Sequence, residues 1–369
     1  MQYREYGKTG KKVSVVGMGG MRFRQADYAD GNLDRCAAVV HRAFERGINY
    51  FDTAPGYCDD KSEAIFGRAF QTMPRDRFYV STKVALWHGQ TGSDARRMLE
   101  QSLRILGLEQ IDFYNCWCVK TMEEYAAYMK KGGVYEAMQK AKEEGLIHHI
   151  CFTTHLNGED IAKVVADGAF EGVTLGYNAV NFAYRQKGVE AAAKAGMGIV
   201  TMNPLGGGLI PTHPDKFGFL RREPDSLVVS ALKFITSQPY ITVALAAGSS
   251  PEEEEENVLA GENLYHMSPA YLQDMARNLT EELNALCTGC RYCDECPAGV
   301  NIPALMDGYN EYVLSGNPKS IGEKLASFWS MSPAAAQACL GCGHCETLCT
   351  QKLPIVQRLQ FVARQAGEK

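Results

Sequence analysis

Over residues 13–259, short runs rich in β-branched and aromatic residues alternate with longer runs whose apolar positions recur at helical spacing. The first kind marks strands and the second amphipathic helices. The pattern predicts strands at Val13–Gly17, Ile48–Thr53, Phe78–Val84, Ile111–Cys116, Ile147–Phe152, Gly172–Tyr177, Gly198–Met202 and Ile241–Ala246. Between them it predicts helices at Asn32–Arg46, Lys61–Gln71, Asp94–Leu106, Val134–Glu144, Glu159–Asp167, Gln186–Ala195, Ser226–Thr236 and Glu252–Leu259. In the first helix Leu33, Cys36, Val40, Ala43 and Phe44 share a face, and Gly47 stops the run. Eight strand–helix units in succession predict an α/β fold, a (β/α)8 TIM barrel over residues 1–265. A doubly wound open sheet is the rival. It usually carries a glycine-rich phosphate loop after its first strand, and Gly17-Met-Gly19-Gly20 lacks that spacing.

In a barrel, chemistry gathers at the C-terminal ends of the strands. Those ends carry Asp52, Tyr57 five residues later, and Lys83. A phenol titrates at about 10 and is a poor acid or base at neutrality. A buried ammonium beside it favours the phenolate and lowers that value. A carboxylate paired with the ammonium holds the lysine in place, and Tyr57 can then pass a proton to or from a substrate oxygen. The same residues also suit a plain buried ion pair with Tyr57 as a rim aromatic.

The 369 residues are 46% apolar and 22% charged, with a net charge of −5. That is ordinary for a soluble chain of about two domains. Nothing points to nucleic acid or an anionic membrane as a partner. No apolar run approaches the ~20 residues that span a bilayer. The opening Met1-Gln-Tyr-Arg-Glu-Tyr6 has no apolar signal core, so a cytoplasmic protein is expected.

The C-terminal region alters the picture. Eight of thirteen cysteines fall in two tight runs, Cys287, Cys290, Cys293, Cys296 and Cys339, Cys342, Cys345, Cys349. A thiolate every third residue in a glycine-containing loop suits iron–sulfur ligation. All-cysteine zinc sites fit four cysteines within ten residues poorly, and disulfides are not expected of reduced cytosolic thiols. The spacing predicts two 4Fe-4S clusters, one on Cys287, Cys290, Cys293 and Cys349, the other on Cys339, Cys342, Cys345 and Cys296. This crossover resembles that of two-cluster ferredoxins. Two features depart from it: the first run closes with two residues, not three, before its last cysteine, and Thr350 stands where proline usually follows the second run. Residues 266–369 are expected to form a linker helix, Tyr271–Leu286, with Leu272, Met275, Ala276, Leu279, Leu283 and Leu286 on one face, followed by a mainly helical ferredoxin-like domain. Helices are expected there at Pro303–Leu314, Ile321–Trp329 and Pro354–Gln365.

Several motifs carry a family resemblance. Asn49-Tyr-Phe-Asp52-Thr-Ala-Pro-Gly-Tyr57 with Ser62-Glu63 and Phe66-Gly67, Ser81-Thr-Lys83, Ser102-Leu103-Arg-Ile-Leu106-Gly107-Leu108 before Ile111-Asp112, Asn203-Pro-Leu205-Gly-Gly207-Gly-Leu209, and Gly248-Ser-Ser250-Pro251 before Glu256-Asn257 stand in order at the intervals of the aldo-keto reductases. The resemblance runs from about Tyr3 to Asn257, and a bacterial branch of that family carries a C-terminal two-cluster ferredoxin-like region. It implies an oxidoreductase with a nicotinamide cofactor extended across the barrel mouth and a small carbonyl or hydroxyl compound as substrate. Candidate cofactor contacts are Gly19, Gly20, Thr153, Thr154, Asn178, Asn203, Leu205, Gly207, Gly248, Ser250, Glu256 and Asn257.

Of the family's catalytic Asp, Tyr, Lys and His, three carry over as Asp52, Tyr57 and Lys83. Trp117 takes the histidine's place in Asp112-Phe-Tyr-Asn-Cys-Trp117. Indole donates one hydrogen bond and cannot shuttle a proton; His88 and His155 are nearby candidates to compensate. Relatives that prefer NADP place basic residues in the last cofactor segment, whereas Glu252–Glu256 here is all glutamate. A 2′-phosphate wants a cation, so NAD(H) is expected over NADP. Alternatives to carbonyl reduction are a lyase or isomerase using the same Tyr/Lys/Asp set with structural clusters, and a non-catalytic electron-transfer protein. A redox protein partner and an oxygen-poor cell fit the clusters.

Overall fold

A computed structural model describes residues 1–278 and 285–367. The chain divides into two compact units. One comprises Met1–Leu205 and Leu220–Ser268; the other comprises Gly206–Phe219 and the residues from Pro269 onward.

The first unit opens with an antiparallel hairpin, β1 (Tyr3–Glu5) with β2 (Lys12–Ser14). Eight parallel strands follow: β3 (Val16–Gly19), β4 (Tyr50–Asp52), β5 (Tyr79–Val84), β6 (Ile111–Val119), β7 (Ile147–Thr154), β8 (Gly172–Gly176), β9 (Gly198–Met202) and β10 (Val243–Ala246). They close in sequence order into a barrel, β10 pairing with β3. The predicted (β/α)8 architecture is therefore the observed one. Parallel strands covered by helices are buried on both faces, and all nine residues of β6 are buried.

Tyr6, next to the hairpin, plugs the barrel end opposite the strand C-termini. Its ring centroid lies 4.1 Å from that of Phe113 and 6.0 Å from that of Tyr50. A Cβ on Gly172 or Gly198 would come within 2.2 and 2.1 Å of Tyr6, so glycine is required at both strand starts. Each such fully buried aromatic contributes about 1.5–3 kcal/mol.

Helix ends follow the local signals. Thr91 forms a capping box with Asp94 at the start of Gly92–Leu106, and Gly107 ends that helix at φ 67°. Short elements escaped the pattern, among them β1 and the helices Leu209–Thr212 and Pro214–Phe217. The predicted strand Val13–Gly17 is two strands, because Ser14 Oγ turns back to Val16 O at 2.6 Å; an unbroken β-rich run conceals such a break. The helix Met122–Tyr128 was missed, although Thr121 caps it.

In the second unit, helices Ile302–Ser315, Lys319–Trp329 and Ile355–Arg364 match the expected positions. Leu305, Met306, Ile321, Leu325, Leu359 and Val362 form its core, together with Cys293, Cys345 and Cys349. The linker helix is observed as Pro269–Asn278. Leu279 and Leu283, and the side chains of Leu272 and Ala276, lie outside the described residues. No helix among the described residues is long and apolar enough to cross a membrane.

Candidate active site and cluster region

Strand register assembles the barrel site. Asp52 on β4 pairs with Ser81 on β5, and Lys83 pairs with Asn115 on β6. Strand side chains alternate, so Ser81 and Lys83 share a face while Thr82 points away to bond Glu63 Oε1 at 2.7 Å. Lys83 Nζ donates to Asp52 Oδ1 at 2.6 Å and to Thr53 O at 2.6 Å. Ser81 Oγ donates to Asp52 Oδ2 at 2.7 Å, and Asn115 Nδ2 to Ser81 Oγ at 3.0 Å. Asp52 and Lys83 are each 3% exposed.

The ammonium lies 4.9 Å from the centroid of the Tyr57 ring. Sequence reasoning expected Lys83 to depress the phenol. Instead burial, then the Asp52 carboxylate and the Cys118 and Cys58 thiols, push it well above its ordinary value. Tyr57 is followed by three left-handed residues, Cys58 (φ 53°), Asp59 (φ 53°) and Asp60 (φ 62°). Such backbone costs energy in non-glycine residues and recurs at functional sites. It is held by Gly56 N donating to Asp60 Oδ1 at 2.8 Å and Tyr28 Oη donating to Asp59 Oδ2 at 3.2 Å.

Trp117 sits where β6 shifts register between Cys116 and Val119. Such a bulge re-aims a side chain. Cys118 is left-handed there at φ 61°, and its N–H donates to Thr153 Oγ1 at 2.7 Å. The Trp117 ring meets Tyr57 edge-on at 5.5 Å and the exposed Trp87 at 4.8 Å. His88 is exposed and packs against Trp87 at 5.9 Å. Burial, then Arg185 and Lys120, push His155 down to about 3, which leaves it neutral at physiological pH.

The predicted cofactor residues Gly19, Gly20, Thr153, Thr154, Asn178, Asn203 and Leu205 lie at or just beyond the C-terminal ends of β3, β7, β8 and β9, and Gly248, Ser250, Glu256 and Asn257 beyond β10. Gly207 belongs to the second unit. Several polar groups of this set already have protein partners. Thr154 Oγ1 donates to Val119 O at 2.8 Å, Asn178 Nδ2 donates to Asn203 O at 2.9 Å, and Glu256 Oε1 accepts from Ser226 Oγ at 2.6 Å.

The segment after β10 is closed by its own glutamates. Gly248 N donates to Glu254 Oε1 at 2.6 Å, and Ser249 N donates to Glu253 Oε2 at 2.7 Å. Burial pushes the Glu254 carboxyl up to about 7. Cations reach this segment from distant parts of the chain, a feature invisible in the local sequence: Arg42 and Arg46 pair with Glu255, and Arg24 with Glu253. Arg24 Nε donates to Ser249 Oγ at 3.1 Å, and its guanidinium lies 3.5 Å from Glu253 Oε1. The carboxylates here can accept hydrogen bonds from the ribose hydroxyls of a dinucleotide.

In the second unit none of the eight cysteines of the two runs forms a disulfide. Cys296, Cys339, Cys342 and Cys345 line one cavity with Ile302 and Leu359. Burial, then the neighbouring Cys287, Cys290 and Cys349 thiols, push Cys293 up to about 12. Gly289, Gly341 and Gly343 are left-handed at 62°, 67° and 73°, which lets the cysteine-bearing loops turn tightly. Thr350 Oγ1 lies 3.6 Å from Cys290 Sγ, and Leu353 N donates to Cys349 Sγ at 3.4 Å. Soft thiol donors such as these suit iron–sulfur clusters.

Residues 15–277 match the Aldo/keto reductase family, and residues 286–353 match the 4Fe-4S dicluster domain. An L-galactose dehydrogenase of Arabidopsis thaliana is 27% identical over 290 residues, which are 70% of this chain and 88% of the relative. The NADH-specific methylglyoxal reductase of Escherichia coli K12 is 23% identical over 322 residues, 74% of this chain and 98% of the relative. An aldo-keto reductase from Klebsiella pneumoniae, solved in complex with NADPH, superposes with a TM-score of 0.62 at 19% identity, covering 76% of this chain and 96% of that one. This likeness shows the fold alone. The chain belongs to the aldo/keto reductase family, as an oxidoreductase whose barrel is followed in the sequence by a ferredoxin-type 4Fe-4S dicluster domain.

Proposed function

We propose that the protein reduces a small carbonyl compound with NADH, with Tyr57 as the proton donor. The observation that carries this reading is Lys83 fixed between Asp52 and Thr53 O, 4.9 Å from the Tyr57 ring. Tyr57 stays protonated at neutral pH because burial disfavours its phenolate. As the proton leaves toward the substrate oxygen, the Lys83 ammonium stabilises the negative charge that develops on the phenol. Asp52, braced by Ser81, keeps the ammonium aimed. Trp117 shapes the pocket wall and takes no part in proton transfer. The bound nicotinamide would supply the hydride. Gly19, Gly20, Thr153, Asn178, Asn203, Leu205, Gly207 and the Gly248–Asn257 segment are the residues proposed to hold it.

NADH is favoured over NADPH because Glu253 neutralises Arg24 and, with Glu254, occupies the N–H groups that a 2′-phosphate would need. The E. coli relative named for NADH supports this reading, and the NADPH complex of the Klebsiella protein is its counterexample. The two clusters, on Cys287, Cys290, Cys293, Cys349 and on Cys296, Cys339, Cys342, Cys345, are proposed as one-electron carriers in contact with a redox protein partner, in an oxygen-poor cytoplasm. Anaerobic titration with NADH and NADPH side by side tests the cofactor assignment. Tighter NADH binding is expected; tighter NADPH binding contradicts it.

A further inference from the structure

Along β6 the side chains alternate between the barrel interior and its coat of helices. Cys116 faces outward, its sulfur 3.5 Å from Met138 Sδ on helix Val134–Glu143. The interior positions are therefore Phe113, Asn115 and Trp117. Phe113 packs on Tyr6 at one end of the barrel, and Trp117 meets Tyr57 at the other. Asn115 lies between them and is 1% exposed. A polar group at this depth must have its donors and acceptors accounted for.

The amide nitrogen of Asn115 has two protons. One goes to Thr82 O at 3.1 Å and the other to Ser81 Oγ at 3.0 Å. A carbonyl only accepts, so Thr82 O fixes which end of the amide faces β5. Ser81 Oγ must then accept from Asn115. Its own single proton is left for Asp52 Oδ2, at 2.7 Å. Asp52 Oδ1 accepts from Lys83 Nζ, which also donates to Thr53 O. Donation runs one way, from Asn115 through Ser81 to Asp52, and meets the Lys83 ammonium there.

The amide oxygen of Asn115 is buried and has no hydrogen-bond partner among the described residues. An orphaned acceptor is destabilising. Leucine, of similar size, would carry no such penalty. What the asparagine adds in return is a donor aimed at Ser81.

We propose that Asn115 is a positioning residue that acts on Lys83 and Tyr57 through Ser81. Its amide fixes the Ser81 hydroxyl, the hydroxyl fixes the Asp52 carboxylate, and the carboxylate fixes the ammonium 4.9 Å from the centroid of the Tyr57 ring. The inference deepens the reading of Tyr57 as proton donor and rests on it for its effect on rate. The hydrogen-bond relay itself stands on the geometry of β4, β5 and β6.

The test uses the full-length, cluster-loaded protein, handled without oxygen, as wild type, Asn115→Leu, Ser81→Ala and the double variant. Asn115→Asp joins the series because it keeps the side chain's size and removes both N–H donors, which covers a leucine variant that fails to fold. NADH-dependent reduction is followed with the best substrate of a panel running from acetaldehyde to benzaldehyde. Each single variant should lower kcat about tenfold with KM unchanged. The double variant should be no slower than Ser81→Ala, because without the hydroxyl the amide has no route to Asp52. Infrared spectra of protein carrying isotope-labelled aspartate, with Asp52→Asn as the reference, isolate the Asp52 carboxylate band. That band should shift in Asn115→Leu and Asn115→Asp, and adding Asn115→Leu to Ser81→Ala should not move it further. An unchanged kcat in the single variants, losses that multiply in the double variant, or an unmoved Asp52 band overturns the proposal. If wild type consumes no NADH with any member of the panel, or Tyr57→Phe is as fast, the reading of Tyr57 fails. The infrared series then decides the relay alone: a shifted band upholds it, and an unmoved band overturns it.

Discussion

On the proposed reading, Tyr57 and Lys83 divide the labour of acid catalysis in an order that the sequence alone reverses. Spacing predicts an ammonium that lowers the phenol; the fold buries the phenol so that its protonated form is kept. Tyr57→Phe should cut carbonyl reduction by about a thousandfold, the usual range for a lost general acid, with cluster absorbance unchanged. Because Tyr57 remains protonated, the wild-type rate should show no alkaline limb from this residue below about pH 10. Lys83→Met strands a buried Asp52 carboxylate and should cost about 3–5 kcal/mol in anaerobic denaturant melts. A similar loss from Lys83→Met with no loss from Tyr57→Phe would mark a purely structural ion pair. Thr350 presents its hydroxyl to Cys290 Sγ. Removing it as Thr350→Val should lower the midpoint potential of the nearer cluster, because hydrogen bonds to cluster sulfur favour the reduced form.

Among the elements, the helix Pro251–Leu259 carries the clearest pH signature. Burial raises Glu254 from 4.5 to about 7, so the fold favours its protonated form. The sign follows: stability is complete below about pH 4.5 and declines as pH rises through 7, by about 3 kcal/mol once the carboxylate is forced to ionise in place. Glu254→Gln keeps an acceptor for Gly248 N and removes that decline. Its melting temperature relative to wild type should rise more at pH 8 than at pH 5, and an equal change at both would refute the assignment. Periodicity revealed most barrel elements, because most strands are short β-rich runs and most helices keep an apolar face. It missed the hairpin break at Ser14 and the short helix Met122–Tyr128, where seven residues are too few to establish a period. It also missed Arg24, whose role depends on a contact 225 residues away in the chain.

For the whole molecule, the cysteine spacing foretold the dicluster region, and the order of motifs foretold the barrel. What spacing could not convey is that Gly206–Phe219, read as part of the barrel, packs with the other unit. Such membership is decided by long-range contacts rather than local pattern. The proposed crossover of ligands makes its own prediction. Cys349→Ser should leave the same surviving cluster, by electron paramagnetic resonance, as Cys290→Ser, and Cys296→Ser the same one as Cys342→Ser. If Cys349→Ser instead matches Cys342→Ser, each run holds its own cluster. The central claim is that the barrel remains a working nicotinamide-dependent reductase despite Trp117. It is tested most directly by following NADH oxidation, without oxygen, across a panel of small carbonyl compounds with wild type and Tyr57→Phe. Consumption of one NADH per carbonyl reduced, lost in the variant, is the predicted result. Turnover of the panel without NADH, or equal turnover by Tyr57→Phe, would contradict it.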